Sequence, residues 1–226
     1  MDARTLVAVD PATGSTLDDH PAVARVRAAL RVKKASGDVV VLDEHARTAS
    51  AAAAQLGVTV AQIANSLVFA VPDESAHDGR RALLVLTSGA HRVDTAKVAA
   101  LIGAPRLDRA EPDFVRERTG FAIGGVAPVG HATPMQTLVD VALADHEQIW
   151  AAAGHPRTVF PTTFDELVRI TGGTPAEVGP PAGPPPGVGP IATPTAKVPA
   201  PSMTRPPDND THHNRPPGQP DVGGGT

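Results

Sequence analysis

Two apolar runs joined by a short polar loop constrain the fold of this chain more than any other feature of its sequence. The runs are NSLVFAV, which starts at Asn65, and RALLVLTSG, which ends at Gly89, and the loop between them runs from Pro72 to Arg80. Apolar runs of this length that are bounded by polar and turn residues are typical of β-strands. The sequence therefore predicts two strands of a sheet here.

Segments with helical patterning lie on both sides of these strands. In HPAVARVRAALRVKK, Val23, Val26 and Leu30 fall on one helical face. TASAAAAQLGV is typical of a helix that is capped by Thr48. We predict further helices in VDTAKVAALIG, EPDFVRERTG and FDELVRITGG, and further strands in DVVVLD, QIWAAAG and RTVFPTT. This order predicts a single domain of the α/β class, a mixed α+β fold, over residues 18–173.

The two ends of the chain differ in composition from this domain. Residues 174–226 hold 15 of the 24 prolines and few large apolar residues. Such a composition cannot bury enough surface to offset the entropy cost of ordering, which predicts a disordered, partly polyproline-II tail. Its AGPPPG run allows protein contacts of the SH3-ligand kind, although short proline runs are common in disordered tails. Residues 1–17 are predicted to be a flexible N-terminal segment.

Charge and cysteine content exclude several classes of function. The chain has 20 Lys and Arg against 24 Asp and Glu, a net charge of -4. No global basic field holds nucleic acid, so we expect no DNA binding, and any RNA contact must be local. The absence of cysteine excludes a disulfide scaffold, a thiol nucleophile and a thiolate zinc site. Since there is no apolar leader and no run of about 18 apolar residues, we expect a cytoplasmic protein without a membrane segment.

Familiar catalytic motifs are absent from the sequence. It has no G-x-S-x-G elbow, no P-loop, no H-E-x-x-H and no G-x-G-x-x-G between a strand and a helix. Its nine histidines do not cluster at the spacing of metal ligands. We therefore expect a domain that uses no metal and no cofactor.

A glycine-rich loop, IGGVAPVG, is the segment best suited to chemistry. Gly124, Gly125 and Gly130 allow backbone conformations closed to other residues, while Pro128 stiffens the loop. Such a loop can turn several N–H groups, including that of Val126, toward one carbonyl oxygen, oxyanion or phosphate. The alternative is a tight connection between two strands.

Several segments occur in an order that resembles one known family. They are QIANSLVF, ALLVLTSGAHRVDTAKVAALIG, TGFAIGGVAPVG and AAAGHPRTVFPTTFDELVRITGG. This order resembles the YbaK-like aminoacyl-tRNA deacylase family, which is related to the editing domain inserted in bacterial prolyl-tRNA synthetases. The resemblance covers Asp19 to Gly173 and none of the tail.

The resemblance implies a curved mixed sheet flanked by helices, with a pocket for the 3′ end of a mischarged tRNA. Family members hydrolyse the ester that joins a wrong amino acid to that end, as a second sieve for errors, without a metal or a protein nucleophile. Gly124 to Pro128 matches the family's substrate-carbonyl loop. Ala152, Ala153 and Gly154 match the strand end that helps to line the amino-acid pocket, and His155 follows directly.

Asn65 occupies the position of the family's best-known functional residue, a lysine in Q-I-x-K-(S/T/N)-L-V-F. An asparagine offers two neutral N–H donors and one acceptor instead of an ammonium group, so phosphate anchoring is weaker unless another cation compensates. Lys97 and Arg92 are conceivable substitutes, although Lys97 falls in a predicted helix. Asn65 either contacts substrate or caps the junction between helix and strand. Ser66 is either a second pocket donor or a core-facing hydroxyl.

Two further polar segments are candidates for binding. Arg27, Arg31 and Lys34 lie at helical spacing and either meet tRNA phosphates or form a solvated face. The strand-end loop TSGAHRVD adds three candidate substrate contacts, which are Ser88, Gly89 and His91.

Two hypotheses follow from these residues and the resemblance. In the first, the chain is a trans-acting deacylase of mischarged tRNA. The Gly124 to Pro128 loop polarises the ester carbonyl, water attacks, Asn65 positions the terminal nucleotide, and His155 is the nearby group suited to proton transfer at neutral pH. In the second, the chain kept the pocket but lost catalysis, and it binds an aminoacyl group, an amino acid or a partner protein. Both hypotheses leave the amino acid, the tRNA and the oligomeric state open.

Overall fold

A computed structural model of the chain describes residues 16–180, all of which belong to one compact unit. Residues 1–15 and 181–226 lie outside the described range. Most of the predicted N-terminal segment and of the predicted proline-rich tail, with its expected protein contacts, therefore lies outside it.

Five α-helices occur within the described residues, where the sequence predicts them. Their ends carry the expected caps: the Thr48 hydroxyl accepts a hydrogen bond from the Ala51 N–H, and Gly57 ends the same helix at a φ of 67°. In residues 16–180 no helix has both the length and the apolar composition needed to cross a membrane. The helices are α1 Pro21–Val32, α2 Ala49–Leu56, α3 Thr95–Leu101, α4 Pro112–Thr119 and α5 Phe164–Thr171.

Eight strands form one mixed sheet in the described part of the chain. They are β1 Val40–Val41, β2 Ile63–Pro72, β3 Arg80–Ser88, β4 Asp108–Arg109, β5 Gln136–Asp140, β6 Ile149–Ala152, β7 Thr158–Thr162 and β8 Thr174–Ala176. Their order across the sheet is β1-β7-β6-β2-β3-β5-β8, and β4 pairs with β2 off this path. The predicted mixed α+β fold is confirmed.

The two apolar runs form the centre of this sheet. β2 and β3 are antiparallel and stay paired from Ala64 opposite Ser88 to Pro72 opposite Arg80. β6 lies parallel to the start of β2, and β5 lies parallel to β3. The hairpin therefore joins the two halves of the sheet.

Helices cover both faces of the sheet, which explains the unbroken apolar run of β3. Leu84 and Leu86 pack in a core with α1, α4 and α5. Leu83 and Val85 pack in a second core with α3, and α2 covers Ile63 of β2 in a third. Successive side chains of a strand point to opposite faces, so a strand covered on both faces is apolar at every position.

One edge of β2 is only partly paired. β6 pairs there with Ile63 and Ala64, and β4 pairs there with Phe69 and Ala70. The other edge is occupied by β3 throughout. Residues 65–68 therefore have no strand partner on this edge among the described residues, which leaves a gap in the sheet between β6 and β4.

The structure corrects the predicted boundaries at both ends of the domain. Thr174–Ala176 form β8, which pairs in parallel with β5 although the sequence predicts the tail there. Val178 follows and is fully buried. Proline is tolerated because β8 is an edge strand, so the folded region extends to Pro180. Leu17 is 1% exposed, although the sequence predicts a flexible segment there.

Candidate functional site

A cavity of about 470 Å³ lies at the gap beside β2. Four segments line it: the N-terminal end of α2, residues 63–67 of β2 with Gly89, the glycine-rich loop, and the turn between β6 and β7. These segments are far apart in sequence. A cavity of this size, lined by apolar residues and a few polar groups, is typical of a small-ligand site.

β2 contributes Asn65 and Ser66 to the cavity wall. Asn65 shares a face of the sheet with Ile63, whereas Ser66 shares the opposite face with Ala64, because side chains alternate along a strand. Ser66 Oγ is buried and has no hydrogen-bond partner in the described chain. A buried hydroxyl without a partner is costly, so the Ser66 side chain is a polar group of the cavity wall whose hydrogen bonds are not satisfied within the described chain.

The backbone of β2 also faces the gap. The Gly89 N–H donates to the Ile63 carbonyl at 2.8 Å, so the odd-numbered residues of β2 are those whose backbone bonds to β3. By alternation, the N–H and C=O groups of Ser66 point away from β3, toward the unpaired edge. The cavity therefore has backbone donors and acceptors beside Asn65.

The glycine-rich loop reaches the cavity through Gly124 and Val126. Gly125 lies behind them: its N–H donates to the Ala122 carbonyl at 3.0 Å. A Cβ on Gly125 would lie 3.0 Å from His155 Cα. The Gly125 N–H therefore already has a hydrogen-bond partner, which leaves those of Gly124 and Val126 as the better candidate donors of the loop. Gly125 instead lets the loop approach the turn that carries His155.

The later part of the loop lies away from this cavity. Pro128 and Gly130 line a separate cavity of about 310 Å³ together with His131. His131 Nε2 lies 2.8 Å from the Ala127 carbonyl and donates to it. Pro128 and Gly130 therefore do not line the candidate site. His131 is hydrogen-bonded to the loop on the side away from that site.

The environment of His131 disfavours its charged form. Burial lowers the pKa of His131, the hydrogen bond to the Ala127 carbonyl raises it, and the positive charge of Arg25 lowers it again. The net result is a pKa below the ordinary value for histidine. A neutral ring with its proton on Nε2 is the form that bonds to the loop.

The turn between β6 and β7 brings Ala152 and His155 to the cavity. His155 is 8% exposed, and its Nδ1 accepts a hydrogen bond from the Arg157 N–H at 3.1 Å. The neutral ring therefore carries its proton on Nε2. Ala153 and Gly154 are buried and do not line this cavity.

Gly154 is required by close packing at this turn. Its φ is 98°, a conformation that side chains rarely adopt, and a Cβ there would lie 2.8 Å from the Ala22 carbonyl oxygen. The first turn of α1 thus sits directly against the turn. The ring of His20 lies 5.2 Å from the ring of His155, measured between centroids, and the ring of His45 lies 5.5 Å from it.

The N-terminal end of α2 supplies cavity residues that the sequence analysis missed. Arg47, Thr48 and Ser50 line the cavity there. The approach of α2 depends on Gly89, since a Cβ on Gly89 would lie 2.7 Å from Ala49 Cβ. The signal in the sequence is HARTAS, where a cation directly precedes the cap of a predicted helix.

Ser88 and His91 belong to a different part of the molecule. Ser88 Oγ donates to the Ala61 carbonyl at 3.0 Å, and the Ser88 N–H donates to the Asp140 carboxylate at 3.1 Å. His91 Nδ1 lies 3.0 Å from the same carboxylate, which is buried. Of the candidate contacts in the strand-end loop, Gly89 alone among the described residues lines the cavity.

The predicted tRNA-binding residues lie outside the cavity. In the described chain none of Arg27, Arg31 and Lys34 lines it. Arg31 and Lys34 are exposed and Arg27 is half-buried, so a contact with the body of a tRNA stays a prediction. Lys97 donates to the Glu177 carboxylate at 3.1 Å and does not line the cavity.

The lining groups define what the cavity can do chemically. It presents N–H donors, neutral polar side chains, one imidazole and one guanidinium, and no carboxylate of the described chain lines it. No cluster of three or more metal-ligating side chains occurs in residues 16–180. Such a site can orient a carbonyl group and stabilise negative charge on its oxygen.

Comparison with known families decides the class of this domain. The model of the aminoacyl-tRNA editing domain matches residues 43–170. The chain belongs to the aminoacyl-tRNA editing domain family. The matched range includes all four segments that line the cavity, so the resemblance inferred from the sequence is confirmed.

Individual relatives agree with this assignment. The structure of a candidate trans-editing enzyme for prolyl tRNA synthetase is 42% identical with a TM-score of 0.64, covering 71% of this chain and 98% of that one. The structure of hypothetical protein APE2540 is 26% identical with a TM-score of 0.60, covering 69% and 99%. Uncharacterized protein YwhH of Bacillus subtilis (strain 168) is 29% identical over 134 residues, 59% of this chain and 81% of YwhH.

We predict that Gly154→Ala destabilises the domain more than Gly57→Ala. Both glycines have positive φ, but a Cβ at Gly57 has no atom within 4 Å, whereas one at Gly154 meets the Ala22 carbonyl at 2.8 Å. Overpacking of this kind costs about 1–3 kcal/mol. The free energies of unfolding in urea should differ between the two variants by that amount. Equal values would contradict the prediction, because they would show that α1 can shift away from the new Cβ without loss of stability.

We predict that His131 makes the domain less stable in mild acid. Because the pKa of His131 is lowered in the folded state, its contribution to stability is present above the unfolded pKa of about 6.5 and is lost as the pH falls through the folded pKa. His131→Gln keeps an N–H donor for the Ala127 carbonyl but does not titrate. The free energy of unfolding should therefore fall less between about pH 7 and pH 5 in this variant.

The matched control for this prediction is His77→Gln, which changes an exposed histidine in the β2–β3 loop. Both variants replace one histidine by glutamine, so the contribution of the buried ring is the difference between them in the pH dependence of the unfolding free energy. An identical pH dependence in His131→Gln and the native chain would contradict the assignment.

Proposed function

We propose that the chain is a trans-acting editing enzyme that hydrolyses the ester between a wrong amino acid and the 3′ end of a tRNA, of the kind that serves prolyl-tRNA synthetase. One observation carries the proposal. The gap in the sheet places Asn65 and the unpaired backbone of β2 in one cavity with Gly124 and Val126 of the glycine-rich loop. Membership of the editing-domain family and the 42% identical structure support it.

In this proposal, the backbone N–H groups of Gly124 and Val126 bind the ester carbonyl oxygen. The oxygen of a water molecule bonds to the carbonyl carbon, and the carbonyl oxygen takes up negative charge in the tetrahedral intermediate. Donors already aimed at that oxygen stabilise the transition state. The bond from the carbonyl carbon to the ribose oxygen then breaks, and the ribose oxygen takes up a proton from the attacking water. The products are the free amino acid and a tRNA with its terminal hydroxyl restored.

Asn65 is assigned to positioning. It lies at the unpaired edge of β2, and its amide offers two N–H donors and one acceptor without a net charge. These groups suit a ribose hydroxyl or the attacking water. The backbone groups of Ser66 on the same edge add further contacts for the terminal nucleotide.

His155 is assigned to hydrogen bonding rather than to proton abstraction. Its Nδ1 accepts from the Arg157 N–H at 3.1 Å, so that nitrogen is not directed at a water molecule in the cavity. A general base would need an unprotonated nitrogen directed at the water. The attacking water is therefore oriented by donors and acceptors, and the substrate's own free ribose hydroxyl can assist.

The walls of the cavity suit a small or medium amino acid. Alanine is the most frequent residue in the lining, which includes Ala46, Ala49, Ala52, Ala64 and Ala152. We place the reaction in the cytoplasm, where it meets aminoacyl-tRNA. The body of the tRNA then contacts exposed cations such as Arg31 and Lys34 through its phosphates.

The first test is deacylation of tRNAs charged with alanine, serine, threonine or cysteine by the full chain. We expect hydrolysis of at least one of them above the spontaneous rate. Asn65→Ala should lower kcat/KM about tenfold, which corresponds to one lost hydrogen bond. Gln148→Ala, which removes an exposed amide outside the cavity, should have no effect. If no substrate is hydrolysed faster than it decays alone, the proposal fails.

A second variant tests whether the Asn65 amide takes part in hydrolysis or whether the chain lost catalysis together with the family's lysine. We expect Asn65→Lys to lower hydrolysis, because a longer cationic side chain replaces the amide that contacts the substrate. The rate should be measured at saturating substrate, with the unfolding transition as a control for folding. A large gain of hydrolysis would instead show that the native chain is a pocket-bearing binding module that has lost catalysis.

A further inference from the structure

Arg47 lines the cavity but has no role in the proposed reaction. It precedes Thr48, the N-cap of α2. A guanidinium stays protonated at every physiological pH. Among the cavity-lining residues of the described chain, Arg47 is the only one with a permanent charge.

The side chain of Arg47 is exposed and is therefore accessible to a ligand. Its side chain makes no hydrogen bond or ion pair with a described residue. Some other arginines of the domain are paired: Arg118 lies 2.7 Å from the Asp78 carboxylate, and Arg169 lies 3.2 Å from the Glu166 carboxylate. Arg47 therefore keeps its full hydrogen-bonding capacity for a ligand.

The surroundings of Arg47 add to its attraction for anions. The polar side chains that share the cavity, such as Ser50 and Asn65, are uncharged, and no carboxylate of residues 16–180 lines it. Ala49 and Ser50 in the first turn of α2 also line the cavity, so the positive end of the helix dipole faces the same space. The wall of the cavity formed by the N-terminal end of α2 thus carries the one permanent charge among the described lining residues.

The chemistry of the substrate decides which group meets this wall. An aminoacylated 3′ end carries a positive α-ammonium group, an uncharged ester, and the phosphodiester of its terminal nucleotide as the nearest anion. Arginine repels the ammonium group and pairs with phosphate through two parallel N–H donors. The charge of Arg47 therefore orients the substrate with its phosphate toward α2.

We propose that Arg47 binds the phosphate of the terminal nucleotide and so positions the ester against the N–H groups of Gly124 and Val126. This inference rests on the proposed function. It makes Arg47 a positioning residue, and it supplies the cation that Asn65 does not provide. In this arrangement Arg47 and the N-terminal end of α2 bind the phosphate, while β2 and the glycine-rich loop bind the ester.

The test uses the full chain and an RNA minihelix ending in CCA whose terminal ribose carries alanine through an amide, which is not hydrolysed. The dissociation constant is measured at several salt concentrations for the native chain, Arg47→Ala and Arg47→Lys. Arg116→Ala is the matched control, because Arg116 is exposed on α4 and does not line the cavity. The unfolding transition of each variant shows that it is folded.

We expect Arg47→Ala to raise the dissociation constant about tenfold, as the loss of a charged hydrogen-bonding pair does. Arg47→Lys should recover part of this loss. The plot of log affinity against log salt should become shallower by about 0.7 in Arg47→Ala, the value for one phosphate of a single strand. Arg116→Ala should change neither quantity.

Two outcomes would overturn the inference: an unchanged salt dependence in Arg47→Ala, or no binding of the minihelix by the native chain. Its failure is separable from failure of the proposed function. If the native chain hydrolyses mischarged tRNA but Arg47→Ala binds the minihelix normally, the activity stands and the role of Arg47 is wrong. If binding depends on Arg47 but no ester is hydrolysed, the phosphate site stands and the activity is wrong.

Discussion

The antiparallel pairing of β2 with β3 is the interaction on which the rest of this structure depends. It occupies one edge of β2 completely and leaves the other edge to β6 and β4, which cover only its ends. Helices on both faces of the sheet require the covered part of both strands to be apolar, and residues 82–86 of β3 meet that requirement without interruption. The cavity occupies the one stretch of β2 where a neighbouring strand is missing from the described chain.

Three glycines let separate segments meet around this gap. A Cβ on Gly89 would lie 2.7 Å from Ala49 of α2, one on Gly125 would lie 3.0 Å from His155, and one on Gly154 would lie 2.8 Å from the carbonyl of Ala22. Any larger residue at these positions would push a wall of the cavity outward. The geometry of the site is therefore a product of close backbone packing as much as of its polar residues.

Charged and uncharged groups lie on different walls of the cavity. Neutral residues of β2 and the glycine-rich loop line part of the cavity, whereas the one permanent cation among its described lining residues lies on the wall formed by α2. Such an arrangement stabilises negative charge that develops on an ester oxygen without a protein nucleophile.

The sequence by itself determined the helices, the two central strands and the family, because each depends on patterns of apolar, capping and turn residues at neighbouring positions. It did not indicate β4, β5 or β8, since these short segments are strands only through pairing with β2, β3 and β5. Tertiary structure alone brought Arg47 into the cavity, engaged the Gly125 N–H and separated His91 from the site. These features depend on which segments pack around the unpaired edge of β2, and contacts between distant segments leave no local pattern in the sequence.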